Sequence, residues 1–429
     1  MAQTNQLMAS AVQVDITPPV GVHLEGFGER QDPSCGVHDP LFAQVLVLQR
    51  GREAVALFSL DLIGVRLDLT QRVRAAIAQA TGMPEGHILL ACSHTHSGPT
   101  GFLTGLPVIH TPPDPELVNV VERKLLGAAQ EAQRGLRPAR LGVGRGRLTG
   151  LGTNRNNPEG GLLDEEVIVL RVDGEDRQPI AVWMNYGCHP TIMGHQNLWI
   201  TADYPGAARR ALNQLYPQTV FLYANGASGD VSTRFTRREQ TFDEVERMGR
   251  LLAGEILKVM QTVILEEGGE LGGRVEPIEF PFRPFPAEDE VQQDIERLQA
   301  ALRSLQESSA AHGEIRRAET RVEGATARQW LISELKGMDR FQSQLQVLEV
   351  GPLAMVGLPG EPFTRIVLDI KARSRRPHTA VVSYCNDETG YFPDRQAFAE
   401  GTYEAFICPY RDDVAEFLAD RAVRLLQGG

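Results

Sequence analysis

Residues 88–99 have the sequence ILLACSHTHSGP, in which a short apolar run passes directly into a polar loop. The run Ile88–Ala91 is typical of a buried β-strand. His94 and His96 stand two positions apart just beyond it, so in an extended segment both side chains lie on the same side. Because imidazole is a common metal ligand and titrates near neutral pH, the pair predicts a metal or catalytic site beyond the sheet edge. The alternative is a pair of hydrogen-bonded loop histidines.

Outward from this segment, strand-like and helix-like runs alternate through most of the chain. Further strands are predicted at Val12–Ile16, Phe42–Leu48, Ala54–Leu60, Val167–Val172, Ala181–Tyr186, Val220–Ala224, Leu345–Val350, Leu353–Gly357 and Ala380–Tyr384. Helices are predicted at Leu67–Ala80, Pro115–Arg134, Tyr204–Leu215, Phe242–Gln261 and Val414–Leu426. This alternation predicts an α/β (mixed α+β) fold with a mixed central sheet.

One segment departs from the alternation. Residues 287–336, from Ala287 to Lys336, are strongly charged and helical, with little strand signal. We interpret them as two helices that form an insertion or a cap. The alternative is a solvated helical hairpin without a role.

The composition excludes several classes of protein. The 429 residues include 43 Lys+Arg and 55 Asp+Glu, which gives a net charge of −12. Nucleic-acid binding needs clustered basic residues, and anionic membrane surfaces also attract positive charge; neither is expected here. No apolar run approaches the roughly 18 residues of a spanning helix, so we expect no stable membrane insertion.

The cysteines and the N-terminus bear on location. Five cysteines form no CxxC pair, which suits a reducing compartment and argues against a zinc-ribbon site. Residues 1–19 show neither a basic n-region nor an apolar h-region, so no secretory signal is expected. These features predict a cytoplasmic protein, and a homo-oligomer is compatible with them.

Familiar catalytic signatures are absent from the sequence. It contains no GxSxG, HExxH, GxxxxGK[ST] or GxGxxG motif. Residues 225–230 are only a near miss to the first of these, and the Gly-rich stretch 142–152 lacks dinucleotide-binding spacing. Serine-hydrolase, nucleotide-binding and dehydrogenase functions therefore lose most of their support.

Three further polar residues follow apolar strands. His189 stands after the strand Ala181–Tyr186, and two strand-end histidines favour a metal site because zinc gathers ligands from separate strands. Glu361 follows a Pro-Gly turn; alone it fits a glutamate at a helix N-terminus, which the helix dipole favours. Tyr391 follows a glycine in a turn, and alone it fits a packing role.

Together these motifs resemble the neutral/alkaline (non-lysosomal) ceramidase family. The similarity spans nearly the whole chain, in the family's order, and its most specific piece is HTHSGP. The matching segments are Asp15–Pro18, Glu25–Phe27, Gly36–Leu41, Ser93–Pro99, Asn154-Arg155, Cys188–Pro190, Ala202–Gly206, Ser228–Ser232, Gly360-Glu361 and Gly390-Tyr391 through Tyr403-Glu404.

The resemblance implies a zinc-dependent hydrolase that cleaves a carbon–nitrogen amide bond by attack of a zinc-bound hydroxide, on an N-acyl amine or ceramide-like substrate. It implies one zinc ion per chain. The implied metal ligands are His94, His189, Glu361 and Tyr391. The implied catalytic residues are His96, Arg155 and Tyr403, and Gly26 is implied to line the substrate pocket. Tyrosine is an unusual ligand because its pKa is near 10; zinc either ionises it or holds it as a long, labile ligand.

Some expectations concern neighbouring residues and domains. Asp61, at the end of the strand Ala54–Leu60, is predicted to support a ligand histidine, and Asp230 and Ser232 are predicted to be structural. Residues 1–429 are expected to form one catalytic domain with a helical insertion at 287–336. The C-terminal immunoglobulin-like domain of ceramidases is not expected.

The expected partner is a small-molecule amide, in keeping with lipid metabolism, and a soluble amide is expected rather than membrane-embedded ceramide. The alternatives are a metal-dependent esterase or lactonase, a metallophosphoesterase, which usually holds two metals, and a non-catalytic binding module.

Overall fold

The computed structural model describes residues 6–103, 114–308, 310 and 312–428. The strands are β1 (Leu7–Asp15), β2 (Gly36–Val37), β3 (Phe42–Arg50), β4 (Glu53–Leu60), β5 (Ile88–Cys92), β6 (Arg137–Arg147), β7 (Thr153–Asn154), β8 (Glu166–Gly174), β9 (Pro179–Tyr186), β10 (Trp199–Ile200), β11 (Val220–Asn225), β12 (Val231–Ser232), β13 (Leu271–Pro281), β14 (Arg340–Val350), β15 (Leu353–Gly357), β16 (Glu361–Pro362), β17 (His378–Val382) and β18 (Tyr391–Phe392). The helices are α1 (Leu67–Thr81), α2 (Pro115–Arg134), α3 (Asp203–Leu215), α4 (Phe242–Met260), α5 (Glu288–Glu307), α6 (His312–Glu334), α7 (Thr364–Arg373), α8 (Arg395–Glu400), α9 (Tyr403–Ile407) and α10 (Val414–Leu426).

Two mixed sheets organise these elements. The larger has eight strands in the order β11-β9-β8-β6-β1-β3-β4-β5, and the smaller has four in the order β13-β14-β15-β17. The pairs β4–β5, β9–β11 and β15–β17 are parallel, and the other neighbours are antiparallel. The predicted mixed α/β fold is confirmed.

Central strands of both sheets are buried on both faces, so the fold has four layers. Successive side chains of a strand point to opposite faces. Leu48 of β3 therefore shares a core with Met355 of β15 between the two sheets. Its neighbour Val47 packs with α1 and α2, and Val356 packs with α7 and α10 on the far side. The order of layers is helices, large sheet, small sheet, helices.

Strand β6 was not predicted, because glycines weaken strand propensity. Its glycines make room for α4 and the segment that follows: a Cβ added at Gly144 would lie 2.6 Å from a methyl carbon of Val259. The glycines of this strand allow the helix to pack directly on the backbone of the sheet.

The charged segment contains α5 and α6, which pack on each other through a small core. That core includes Val291, Ile295 and Ala325, with Phe406 of α9 packed against it. Gly324 of α6 lies against Tyr403, since an added Cβ would be 3.3 Å from its ring. The hairpin therefore contacts the short helix that carries Tyr403.

None of the helices in the described ranges combines the length and the apolar content that crossing a bilayer requires.

Candidate active site

The loop after β5 holds His94 in a constrained conformation. Its φ is 68°, a left-handed value that non-glycine residues adopt at a cost of about 1–3 kcal/mol. The backbone N–H of His94 donates to Leu62 O at 2.9 Å, and Nδ1 lies 2.7 Å from Ile63 O. Because Nδ1 therefore carries the proton, Nε2 presents a lone pair to the site.

His189 is held in the same way at the end of β9. Its backbone N–H donates to Val231 O at 3.0 Å, and Nδ1 donates to Ser228 O at 2.6 Å. The other nitrogen, Nε2, is buried and has no hydrogen-bond partner within the described residues. Its lone pair also faces the site.

Glu361 follows the turn after β15 and meets both histidines. Its Oε2 lies 3.0 Å from Nε2 of His189 and 3.8 Å from Nε2 of His94. Burial raises the pKa of Glu361, and the nearby His94 and Arg155 oppose this shift. Segments that follow strands of both sheets thus contribute to one cluster, because Glu361 lies in β16, just after β15 of the small sheet.

The cluster fits a divalent cation. His94, His96 and His189 each offer a ligand atom, and these atoms lie within 4.8 Å of one another. Burial lowers the pKa of His94 and of His189 to about 3, so both imidazoles are neutral. Two imidazole lone pairs and a carboxyl oxygen of Glu361 therefore converge on one point. A metal ion relieves that unsatisfied arrangement, and this donor set suits zinc.

His96 differs from the other two histidines in how it is held. Its Nε2 lies 3.2 Å from Nε2 of His94, but its buried Nδ1 has no hydrogen-bond partner within the described residues. Metal-ligating histidines usually donate their second ring nitrogen to a fixed acceptor. His94 and His189 meet that condition, whereas His96 is free to carry a proton.

Gly26 packs directly against the ring of His96. A Cβ added at Gly26 would lie 2.5 Å from Cγ of that ring. We expect Gly26→Ala to displace His96 and reduce kcat by about 10²-fold, the effect of a misplacement of about 1 Å, while zinc content stays unchanged.

The matched control for this substitution is Gly21→Ala. Gly21 has a φ of 103°, close to the 105° of Gly26, but nothing lies within 4 Å of an added Cβ. Both variants thus carry the same backbone strain, and only one carries the clash. Equal kcat values in the two variants would show that the contact with His96 is unimportant.

Arg155 and two tyrosines form the other wall of the site. The Nε of Arg155 donates to Oε1 of Glu404 at 2.6 Å, and its Cζ lies 5.3 Å from the ring centroid of Tyr391. The rings of Tyr391 and Tyr403 are 6.4 Å apart. Burial raises the pKa of Tyr391 well above its usual value and that of Tyr403 to about 12.

The structure thus brings all eight predicted site residues to one region, and it adds two that were given no role. Glu404 holds Arg155. Tyr384 stacks on His94 with ring centroids 3.7 Å apart. Glu404 lies in a segment that carries the resemblance and Tyr384 ends the predicted strand Ala380–Tyr384, but their contacts depend on residues distant in sequence.

The prediction for Asp61 is wrong. Its carboxylate accepts from the backbone N–H of Phe42 at 2.9 Å and pairs with Arg209 of α3. His94 binds a backbone carbonyl instead. The guanidinium of Arg209 neutralises the buried carboxylate of Asp61. This ion pair connects α3 to the large sheet.

Asp230 lies behind the site. Its carboxylate accepts from Nδ2 of Asn154 and from the backbone N–H of Thr364, both at 2.8 Å. Burial raises its pKa to about 6. Asp230 connects the segment before Arg155 to the start of α7, which is a structural contact. Ser232 forms a β-bridge with His189.

Comparisons with known proteins agree with this architecture. The model of the family described as "Neutral/alkaline non-lysosomal ceramidase, N-terminal" matches residues 9–236, more than half of the chain. The crystal structure of neutral ceramidase from Pseudomonas aeruginosa is similar over 99% of this chain and 75% of that chain, with a TM-score of 0.76 and 18% identity.

Curated relatives match in part. Neutral ceramidase 1 of Arabidopsis thaliana is 26% identical over 229 residues, which are 48% of this chain and 28% of that protein. Neutral ceramidase of Pseudomonas aeruginosa is 24% identical over 307 residues, 63% of this chain and 45% of that protein. The chain spans less than half the length of these relatives.

Proposed function

Because the chain belongs to the neutral/alkaline non-lysosomal ceramidase family, we propose that it is a zinc-dependent hydrolase that cleaves the amide bond of an N-acyl amine. One observation carries the proposal. Two buried imidazoles and a carboxyl group, on segments that follow strands of both sheets, turn their ligand atoms toward a common point.

His94, His189 and Glu361 would hold the metal, with Tyr391 as the fourth ligand. Zinc supplies a water of lowered pKa and a polarised carbonyl. Arg155 stands beside Tyr391, and its positive charge opposes the rise in phenol pKa that burial causes. This favours the ionised form of Tyr391 that ligation prefers.

His96 is placed for proton transfer. Burial and the neighbouring imidazoles lower the pKa of His96 well below its usual value, so the ring is neutral at pH 7. A neutral base next to the ligand His94 accepts the proton of the attacking water and then passes it to the leaving amine. Gly26 leaves room for this ring.

Arg155 and Tyr403 are placed to donate hydrogen bonds to the substrate. One terminal nitrogen of Arg155, Nη2, is buried without a hydrogen-bond partner within the described residues. A guanidinium with a spare donor suits a carboxylate or another polar group beside the scissile bond. The Tyr403 hydroxyl, protonated because its pKa is raised to about 12, is a donor for the developing oxyanion.

The rival hydrolases use related chemistry. A zinc site that attacks amides also attacks esters and lactones, so these remain alternative substrates for the same residues. A metallophosphoesterase usually holds two metals about 3.5–4 Å apart. Over the part of the chain that is described, one cluster of His, Cys, Asp and Glu has metal-ligand geometry, which favours the single-metal hydrolase.

We expect a small or medium-sized soluble amide to be preferred over ceramide in membranes. The net charge of −12 opposes docking on anionic lipid, and Arg155 favours a polar group near the amide. The measurement is kcat/KM of the zinc-loaded protein for short-chain N-acyl amines, with and without an adjacent carboxylate, against ceramide in vesicles.

A preference for vesicle ceramide of tenfold or more, about 1.4 kcal/mol in transition-state binding, would overturn this substrate class. Hydrolysis of none of the amides, with turnover of phosphate esters, would overturn the reaction itself.

A further inference from the structure

Behind the proposed ligands lies a connected pair of buried residues, Tyr384 after β17 and Ser228 after β11. We propose that Tyr384 and Ser228 are positioning residues that together orient His94, His189 and Glu361 toward the metal. The inference rests on the proposed function, since it concerns the same site. Neither residue is one of the proposed ligands, and the sequence motifs gave neither of them a role.

Tyr384 touches two of the three ligands. Its ring stacks on the imidazole of His94, with centroids 3.7 Å apart and an angle of 10° between the planes. Its hydroxyl donates to Oε2 of Glu361 at 3.3 Å. That oxygen is also the one that lies 3.0 Å from Nε2 of His189. Tyr384 therefore fixes the plane of one ligand and the rotation of another.

Ser228 connects this tyrosine to the third ligand. Its Oγ donates to the Tyr384 hydroxyl at 2.7 Å, while its backbone carbonyl accepts from Nδ1 of His189 at 2.6 Å. The next residue, Gly229, donates its N–H to Pro362 O at 3.1 Å, directly beside Glu361. A short chain of hydrogen bonds thus runs from Ser228 through Tyr384 to Glu361.

The backbone of Tyr384 is hydrogen-bonded to the two segments that lead into Glu361 and His94. Its N–H donates to Gly360 O at 3.1 Å, one residue before Glu361, and its carbonyl accepts from the N–H of Cys92 at 3.2 Å, two residues before His94. Its φ of 51° is left-handed. A bulky residue persists in that conformation only where its surroundings enforce it, and here the enforced geometry links the two ligand-bearing strands.

Residues that orient metal ligands typically change metal affinity by 10–100-fold when substituted. Tyr384→Phe keeps the ring stack and the backbone but removes the hydroxyl. We expect it to weaken zinc binding roughly 10–100-fold, measured by competition with a chelator of known affinity. Ser228→Ala keeps the carbonyl that binds His189, and it should weaken zinc binding less.

The two substitutions should also be coupled. Because Ser228 acts on Glu361 through Tyr384, the double variant should bind zinc little more weakly than Tyr384→Phe alone. Losses that simply add would contradict the hydrogen-bond chain.

The matched control is Tyr223→Phe. Tyr223 is equally buried, and its hydroxyl bonds Tyr204 at 2.7 Å and donates to Tyr186 O at 2.8 Å, so it contacts none of the three ligands directly. We expect it to lower Tm without changing zinc affinity. Zinc affinity of Tyr384→Phe within twofold of the parent, or an equal loss in Tyr223→Phe, would overturn the inference. Failure of the proposed function would show differently, as a parent chain that binds no zinc.

Discussion

Replacement of His94 by Ala is expected to remove both the metal and the activity. Nε2 of His94 points into the cluster while Nδ1 is fixed by Ile63 O at 2.7 Å, so the substitution removes a lone pair that is already oriented toward the metal position. Zinc contributes several kcal/mol of transition-state stabilisation. A loss of about 4 kcal/mol corresponds to roughly 10³-fold in kcat/KM, which we give as the minimum effect. Zinc per chain after dialysis and kcat/KM are the two measurements.

The control for His94→Ala is His87→Ala. The Nδ1 of His87 also lies near a backbone carbonyl, Ala54 O at 2.9 Å, but the side chain lies outside the cluster. We expect this variant to retain its zinc and its rate. A His94→Ala protein that still holds one zinc with normal affinity would remove His94 from the ligand set.

The second large effect concerns His96. His96→Ala is expected to retain zinc and to lose roughly 10²–10⁴ in kcat, the usual contribution of general acid–base catalysis. The physical reason is the ring's environment: it is neutral, next to His94, and its Nδ1 is not tied to an acceptor within the described residues. The measurements are kcat and zinc content on the same preparation.

The pH profile separates the two histidines further. If His96 is the base, its removal should change the shape of the acidic limb of the profile of kcat/KM, whereas Gly26→Ala should lower the rate and keep that shape. Loss of zinc from His96→Ala together with retention by His94→Ala would reverse the two assignments.

Local signals were sufficient for much of the fold. Helix α2 begins and ends where it was predicted, because Asp114 caps its first turn by accepting from the N–H of Glu116 and proline stands at its first position. Helix α1 ends at Gly82, whose φ is 77°, as a left-handed glycine cap requires. Such features are encoded within a few residues, so they can be read without tertiary structure.

Strands β6 and β13 were not predictable in this way. Strand β6 is rich in glycine because α4 packs on it, and that requirement appears only when the helix is in place. Strand β13 carries Pro277 and lies at the edge of the small sheet, where a missing N–H is tolerated. Both strands contradict local propensity, and the tertiary contacts decide them.

The candidate site, like the fold, could be predicted from the sequence only in part. Polar residues just beyond buried strands indicated His94, His189 and Glu361, because strand ends converge at a sheet edge. The residues that support these three could not be predicted from the sequence. Asp61 forms an ion pair with Arg209, which lies on a helix far along the chain. Tyr384 contacts His94 only because the two sheets stack.

An anomalous-scattering map of crystals grown with zinc would locate the metal. We predict one strong peak per chain, within bonding distance of Nε2 of His94, Nε2 of His189 and a carboxylate oxygen of Glu361, at the 2.0–2.2 Å expected for zinc with nitrogen and oxygen ligands. A peak elsewhere, a pair of peaks about 3.5–4 Å apart, or no peak at these residues would contradict it.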